Sequence, residues 1–359
     1  MGNHLEAPKT DKSSQEHVTG EGLIGGATEM QGWRFEMEDA HILTDFPPER
    51  LNNGGVHSLL AVFDGHGGAG AAKYASIHLM SHIESTTEWQ NYVKDGCKDP
   101  HLIGLCLHKA FLELDAALRV AQDKERETAL LNYKNTSSNS FPESNEQPDT
   151  SGSTIVVCVI TPKYIICGNA GDSRCVMGTN GTTKELSDDH KPANEGERNR
   201  IMRAGGYVAQ NRVEGNLAVS RALGDFEFKD VGKHPEETKV TAAPDIVVHE
   251  RTPSDDCLIL ACDGVWDVFK SSEAVDLCRE IYSWGESNMR LMCEELVDTA
   301  LERGSKDNIS CVALRLPGAI IGDTSLGGVE GKRIERQQMQ DRLRDLEMKS
   351  NQAVGRTDG

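Results

Sequence analysis

Two apolar runs in this 359-residue chain stop at the same dipeptide. The first, SLLAVFDGHGG at 58–68, ends on Asp64 and passes through glycines into a helical pattern; the second, CLILACDGVWD at 257–267, ends on Asp263. A buried strand that closes on a carboxylate sets that acid at the rim of the core. Taken singly, Asp-Gly after a strand is a common tight turn. The turn reading weakens as further acids flank apolar runs: Glu38 and Asp39 in MEDAH (37–41), Asp172 in GDSR (171–174) and Asp307 in GSKDNIS (304–310). Acids poised at strand boundaries are the constraint any fold of this chain must meet.

Short β-type runs occur at 57–63, 154–160, 164–167, 174–177, 245–248, 257–262 and 309–314, the lengths and residue types of half-buried or buried strands. The stretch 154–177 is broken only by TPK and GNAGDS, turn chemistry that predicts consecutive antiparallel strands and favours a meander over a doubly wound sheet. Apolar residues three or four apart predict helices over 69–82, 102–121, 195–203, 272–282 and 288–303. Strands and helices in separate blocks imply an α+β layered domain.

Polar, patternless residues 1–22 are expected to be a mobile arm, and 23–316 the folded domain. A Ser-, Asn-, Glu- and Pro-rich stretch near 132–151 reads as a surface insertion. The tail 317–359 is Gly-rich and then charged, and Ile334, Met339, Leu343 and Leu346 give a helix over about 330–349 one narrow apolar stripe. So narrow a stripe predicts a solvated or lightly docked helix.

Thirty-eight Lys and Arg against 57 Asp and Glu leave a net charge of −19. Such a surface repels phosphate backbones and anionic lipid, which excludes nucleic acid as the default partner. No apolar run approaches the roughly 18 residues of a transmembrane segment. Ten cysteines without a CxxC pair read as reduced core residues of a cytoplasmic or nuclear protein. The start MGNHLEAPKT has no apolar signal stretch. Gly2 permits N-myristoylation, and with it membrane association, but Glu6 stands where that signal has Ser or Thr. A monomer is expected.

Clustered carboxylates repel one another unless cations neutralise them, so a convergence of Asp39, Asp64, Asp263, Asp267 and Asp307 would require positive charge in their midst. Oxygen donors suit Mg²⁺ or Mn²⁺ rather than zinc. Two such ions about 4 Å apart can share one water, lower its pKa and aim it at phosphorus. Spacing alone leaves open whether these acids converge.

Eight sequence words, in order over roughly 22–316, carry a resemblance: MQGWRFEMEDAH (30–41), FDGHGG (63–68), SGST (151–154), GDSR (171–174), DHKP (189–192), LAVSRALGD (217–225), CDGVWD (262–267) and SKDNIS (305–310). They resemble the metal-dependent protein phosphatases (PPM family) of type 2C. The resemblance implies a four-layer α-β-β-α sandwich, two antiparallel sheets flanked by helices, with a dinuclear Mg²⁺ or Mn²⁺ site at one end. It implies an enzyme that hydrolyses phosphoserine and phosphothreonine in proteins.

By the same resemblance Asp64 bridges both ions, Asp263 and Asp307 hold one, and the Gly65 carbonyl holds the other. Glu38 and Asp39 act through ion-bound waters, and Asp172 and Asp267, with Asp263, match the positions of a weaker third ion. Arg34 binds phosphate through its guanidinium fork, and His66 protonates the departing Ser or Thr oxygen. His41, though close to the acids, is expected to take an ordinary hydrogen bond. Arg198, Arg200 and Arg203, in the segment 191–220 that borders the cleft in similar enzymes, read as a solvated helix face before a phosphopeptide contact. Two rivals remain: a catalytically silent relative that docks phosphoproteins, which would be expected to lack the acids, and a two-metal hydrolase of small phosphoesters.

Overall fold

The protein is described by a computed structural model over residues 4–51, 55–135 and 149–354. In β4 (Ser58–Phe63), Leu59, Ala61 and Phe63 face one buried cluster, while Leu60 and Val62 face another. In β15 (Asp255–Ala261), Leu258 and Leu260 enter the same cluster as Leu60, and Cys257, Ile259 and Ala261 point away from it. Side chains alternate across a strand, so an unbroken apolar run marks a strand covered on both faces. Two such strands sharing one cluster face each other across it.

Around them stand two sheets. One runs, in spatial order, β1 (Lys9–Val18), β2 (Ile24–Gly32), β16 (Ile309–Arg315), β15, β9 (Arg174–Thr179) and β10 (Thr182–Glu185). The other runs β14 (Asp245–Glu250), β8 (Tyr164–Ala170), β7 (Ile155–Ile160), β4 and β3 (Ala40–Asp45). Every neighbouring pair is antiparallel.

Helices α1 (Gly70–Ser85), α2 (Thr87–Lys94) and α3 (Pro100–Asn135) cover the outer face of the β4 sheet through residues such as Leu79, Trp89 and Phe111. Helices α6 (Ser271–Ser283) and α7 (Met289–Glu302) cover the β15 sheet through Val275, Ile281 and Leu296. The α+β four-layer sandwich stands as expected.

Shorter elements gather at one end. A small sheet joins β5 (Gly65–His66), β6 (Gly152–Ser153) and β13 (Leu223–Gly224), and α5 (Asp263–Trp266) follows β15 directly. The segment 191–220 holds α4 (Glu195–Arg203) and a hairpin of β11 (Val208–Ala209) with β12 (Arg212–Val213).

Several expectations are corrected. Residues 9–18 are not a mobile arm: they form β1, paired along β2 and exposed at the sheet edge, where backbone bonding needs no apolar pattern. The stretch 154–177 is not one meander. β7 and β8 pair, but the chain then crosses at Gly171–Asp172–Ser173 to the other sheet, where β9 pairs with β15 and β10. Arg200 is no solvated residue; it donates to Glu197 at 2.7 Å and to the Ser220 and Thr238 carbonyls. Arg198 and Arg203 are exposed.

Of the insertion near 132–151, residues 136–148 lie outside the described residues, as does Gly2. The tail carries α8 (Gly328–Val354), anchored by buried Val329, with Ile334, Met339, Leu343 and Leu346 exposed. Its Arg333 reaches Asp298 of α7 at 3.0 Å, and Lys12 of β1 reaches the same carboxylate at 2.7 Å.

Candidate metal centre

The acids that end strands in the sequence meet at one end of the sandwich. Asp64 follows β4, Asp263 opens α5 after β15, and Asp172 lies in the crossing between β8 and β9. One carboxylate oxygen from each of the three lies within 4.8 Å of the others. Sheet pairing fixes this: β4 carries Asp64 from one sheet, β15 carries Asp263 from the other, and the crossing segment delivers Asp172 between them. The Asp263 N–H points at Asp64 Oδ2, 3.4 Å away. Thr154 holds the Asp64 backbone on both sides, accepting from its N–H at 3.3 Å and donating its own N–H to the carbonyl at 2.9 Å.

Asp39 is buried beside them, and its Oδ2 accepts the Ser310 hydroxyl at 2.7 Å. Burial pushes its carboxyl up to about 8, against the Ser310 bond and with help from the charges of Asp307 and Asp263. Burial raises Asp64 far above the carboxylate range, and the charges of Asp39 and Asp172 add to it. For Asp263 the charge of Asp64 is the largest cause, ahead of burial. Asp267, at the C-terminal end of α5, is raised by burial and held back by the Lys191 ammonium. Such mutual repulsion in a half-buried site calls for a cation.

The donors are all oxygens of carboxylates, which fits Mg²⁺ or Mn²⁺ and not zinc. Asp64, Asp172 and Asp263 would hold such ions, with Asp39 at their side. In this structure Asp172, which the resemblance assigned to the weaker ion, sits in the central triad and is ion-paired with Lys191. Asp307 instead turns to Arg34, whose Nε lies 3.2 Å from its Oδ1.

Arg34 also stands 3.9 Å from Glu38, and its side chain remains 37% exposed, so the guanidinium lies at the rim of the cluster. Glu38 accepts the Gly68 N–H at 2.8 Å and bridges its loop to the glycine-rich turn after Asp64. A Cβ on Gly65 would lie 2.1 Å from the Glu38 carbonyl oxygen, so only glycine allows this approach.

Three residues that the sequence reading passed over organise the site. Asn308 accepts from the Glu38 N–H at 2.9 Å and donates to the carbonyls of Gln31 and Glu36, stapling the 31–38 loop to the start of β16. Lys191 supplies the positive charge inside the acidic group. Asp225 accepts from His66 Nε2 at 2.7 Å. Burial works against the His66 imidazolium, but the Asp225 carboxylate outweighs it and raises the pKa.

Asp225 is a non-glycine residue at φ +51°, and a Cβ on Gly152 would fall 2.3 Å from its Oδ2 and 2.5 Å from His66 Nε2. The signal was present in the words SGST, DHKP, LAVSRALGD and SKDNIS, each of which owns one member of these contacts. His41, as expected, takes hydrogen bonds, from Gln15 at 3.0 Å and with Glu29.

Comparison with known proteins follows the same contour. The family described as Protein phosphatase 2C matches residues 24–309. Human protein phosphatase 1B is 39% identical over 318 residues, covering 87% of this chain and 61% of that protein. Human protein phosphatase 1A is 38% identical over 321 residues, covering 89% and 77%. The crystal structure of a phosphatase from a pathogenic strain of Toxoplasma gondii superposes with a TM-score of 0.64 at 25% identity, over 87% of this chain and 98% of that one. With the matched stretch taking in strands of both sheets and every acid of the site, the chain belongs to the protein phosphatase 2C family.

Proposed function

We propose that the chain is a metal-dependent protein phosphatase that hydrolyses phosphoserine and phosphothreonine. The carrying observation is the convergence of Asp64, Asp172 and Asp263 within 4.8 Å at one end of the sandwich, with Arg34 and His66 nearby. Bound there, paired Mg²⁺ or Mn²⁺ ions would supply charge neutralisation and an activated water.

The chain's own groups do the rest. Arg34, held at the rim by Asp307 and Glu38, offers its planar fork to two phosphate oxygens. His66 engages Asp225 through Nε2, which leaves Nδ1 to donate a proton to the departing seryl or threonyl oxygen. Asp225 favours the imidazolium, the form that can act as an acid at neutral pH. It is a positioning residue, acting through His66. Asn308 and Ser310 keep the 31–38 loop and Asp39 in register with the cluster.

Substrates are proposed to be phosphoproteins, since an acidic surface of net charge −19 disfavours polyanions. Ten free cysteines, nine of them buried, support a cytoplasmic or nuclear setting. The test is phosphate release from a phosphothreonine peptide beside a sugar phosphate, with Mn²⁺ or with excess chelator. Turnover of the peptide with Mn²⁺ alone is expected. Full activity in chelator, or preference for the sugar phosphate, overturns the reading.

A further inference from the structure

Away from the acidic end, three sulfurs meet in the closed middle of the sandwich. Cys158 of β7 and Cys167 of β8 lie directly opposite each other in one sheet, and Cys175 reaches them from β9 in the other. The three sulfurs lie within 4.8 Å of one another, with Cys158 Sγ 3.5 Å from Cys175 Sγ. All three are buried, and the proposed reaction uses none of them.

Metal–sulfur bonds are about 2.3 Å long, so three sulfurs spread evenly around one ion stand about 4 Å apart. The observed spacing brackets that value. We propose that Cys158, Cys167 and Cys175 form a second metal site, specific for a soft ion and filled by one monovalent copper through three sulfurs.

The surroundings select the ion. No fourth His, Cys, Asp or Glu joins the group among the described residues, so the four ligands of structural zinc are not met. Hard ions would want oxygen, whereas thiolates select monovalent copper. The walls are Leu60, Val62, Val156, Leu260 and Val312, and an apolar interior tolerates little net charge.

Copper enters already monovalent, so no electron moves; each cysteine that bonds copper as a thiolate breaks its S–H bond and passes the proton to solvent. Entry requires local opening of the sheet interface, and binding then ties three strands from both sheets together.

The test uses the full, reduced chain, stripped of divalent ions and incubated anaerobically overnight with monovalent copper buffered by bicinchoninate. One equivalent withdrawn from the chelator is expected, with three sulfurs about 2.3 Å from copper by X-ray absorption and a higher melting temperature. Cys167→Ala should lose the equivalent. Cys175→Ala replaces it if that variant does not melt cooperatively. Cys278→Ala, which removes a buried thiol near Cys257 on the far side of the β15 sheet, should keep it. Failure of the unaltered chain to take copper, fewer than three sulfurs around it, or retention of the equivalent in a folded Cys167→Ala or Cys175→Ala chain overturns the proposal.

Discussion

The interface between the two sheets has two characters along its length. Its middle is apolar, with Leu60, Leu258, Leu260 and Val312 fully buried against one another. Its end carries Asp39, Asp64, Asp172 and Asp263, whose charges oppose one another. The middle stabilises the fold by removing apolar area from water. The end costs stability until a cation arrives, and that is where chemistry becomes available. One pair of sheets thus holds the unfavourable cluster in position by means of the favourable one.

The largest expected effect comes from removing one charge at the end. Asp263→Asn should lower kcat/KM on a phosphothreonine peptide by about a thousandfold, several kcal/mol of transition-state stabilisation. The same change should raise the melting temperature of the metal-free chain by relieving repulsion with Asp64. A variant less stable than the parent in chelator would break the contrast between end and middle. In the middle, Leu258→Ala should cost ~3 kcal/mol through a cavity, readable by denaturant melts, and this loss should be the same with and without Mn²⁺. A loss that vanished in Mn²⁺ would join the two regions.

His66→Gln should slow alkyl phosphate hydrolysis about a hundredfold and an aryl phosphate with a good leaving group far less. Equal losses on both would assign His66 to structure. Asp225→Asn should cost about tenfold on the alkyl substrate and move the alkaline limb of the pH–rate profile to lower pH, since it removes the carboxylate that favours the imidazolium, the form His66 needs as an acid. An unmoved limb would make Asp225 merely a packing residue.

The remaining effect is one of pH on the metal-free fold. Asp39 titrates at about 8 in the folded chain and at about 4 unfolded. A raised folded pKa means that its contribution is complete below about pH 4 and is lost as pH rises toward 8. The melting temperature in chelator should therefore fall across that window more steeply in the parent than in Asp39→Asn, and saturating Mg²⁺ should flatten the slope. Parallel slopes in the two chains would remove Asp39 from the cluster.

Asp64 and Asp263 were legible because continuous apolar strands end on them, and both-face burial writes such runs plainly. β1 was not, because KTDKSSQEHV bonds through its backbone at an exposed edge and carries no apolar alternation. The crossing at Gly171–Asp172–Ser173 uses the same turn residues a hairpin would, so local sequence leaves open which sheet receives β9. Asp225 and Asn308 act through partners far along the chain, 159 residues away for the His66–Asp225 bond and 270 for Asn308 with Glu38. Contacts at that separation exist only once the sheets have packed. The family words located these residues without stating what they touch.

Asp298 receives Lys12 from one flank of the domain and Arg333 from the other. Partly exposed ion pairs weaken as salt shortens the Debye length, from about 10 Å at 0.1 M to about 3 Å at 1 M. Raising ionic strength therefore weakens the Lys12 and Arg333 contacts together, so one side chain of α7 exposes β1 and α8 to the same property of the solution around them.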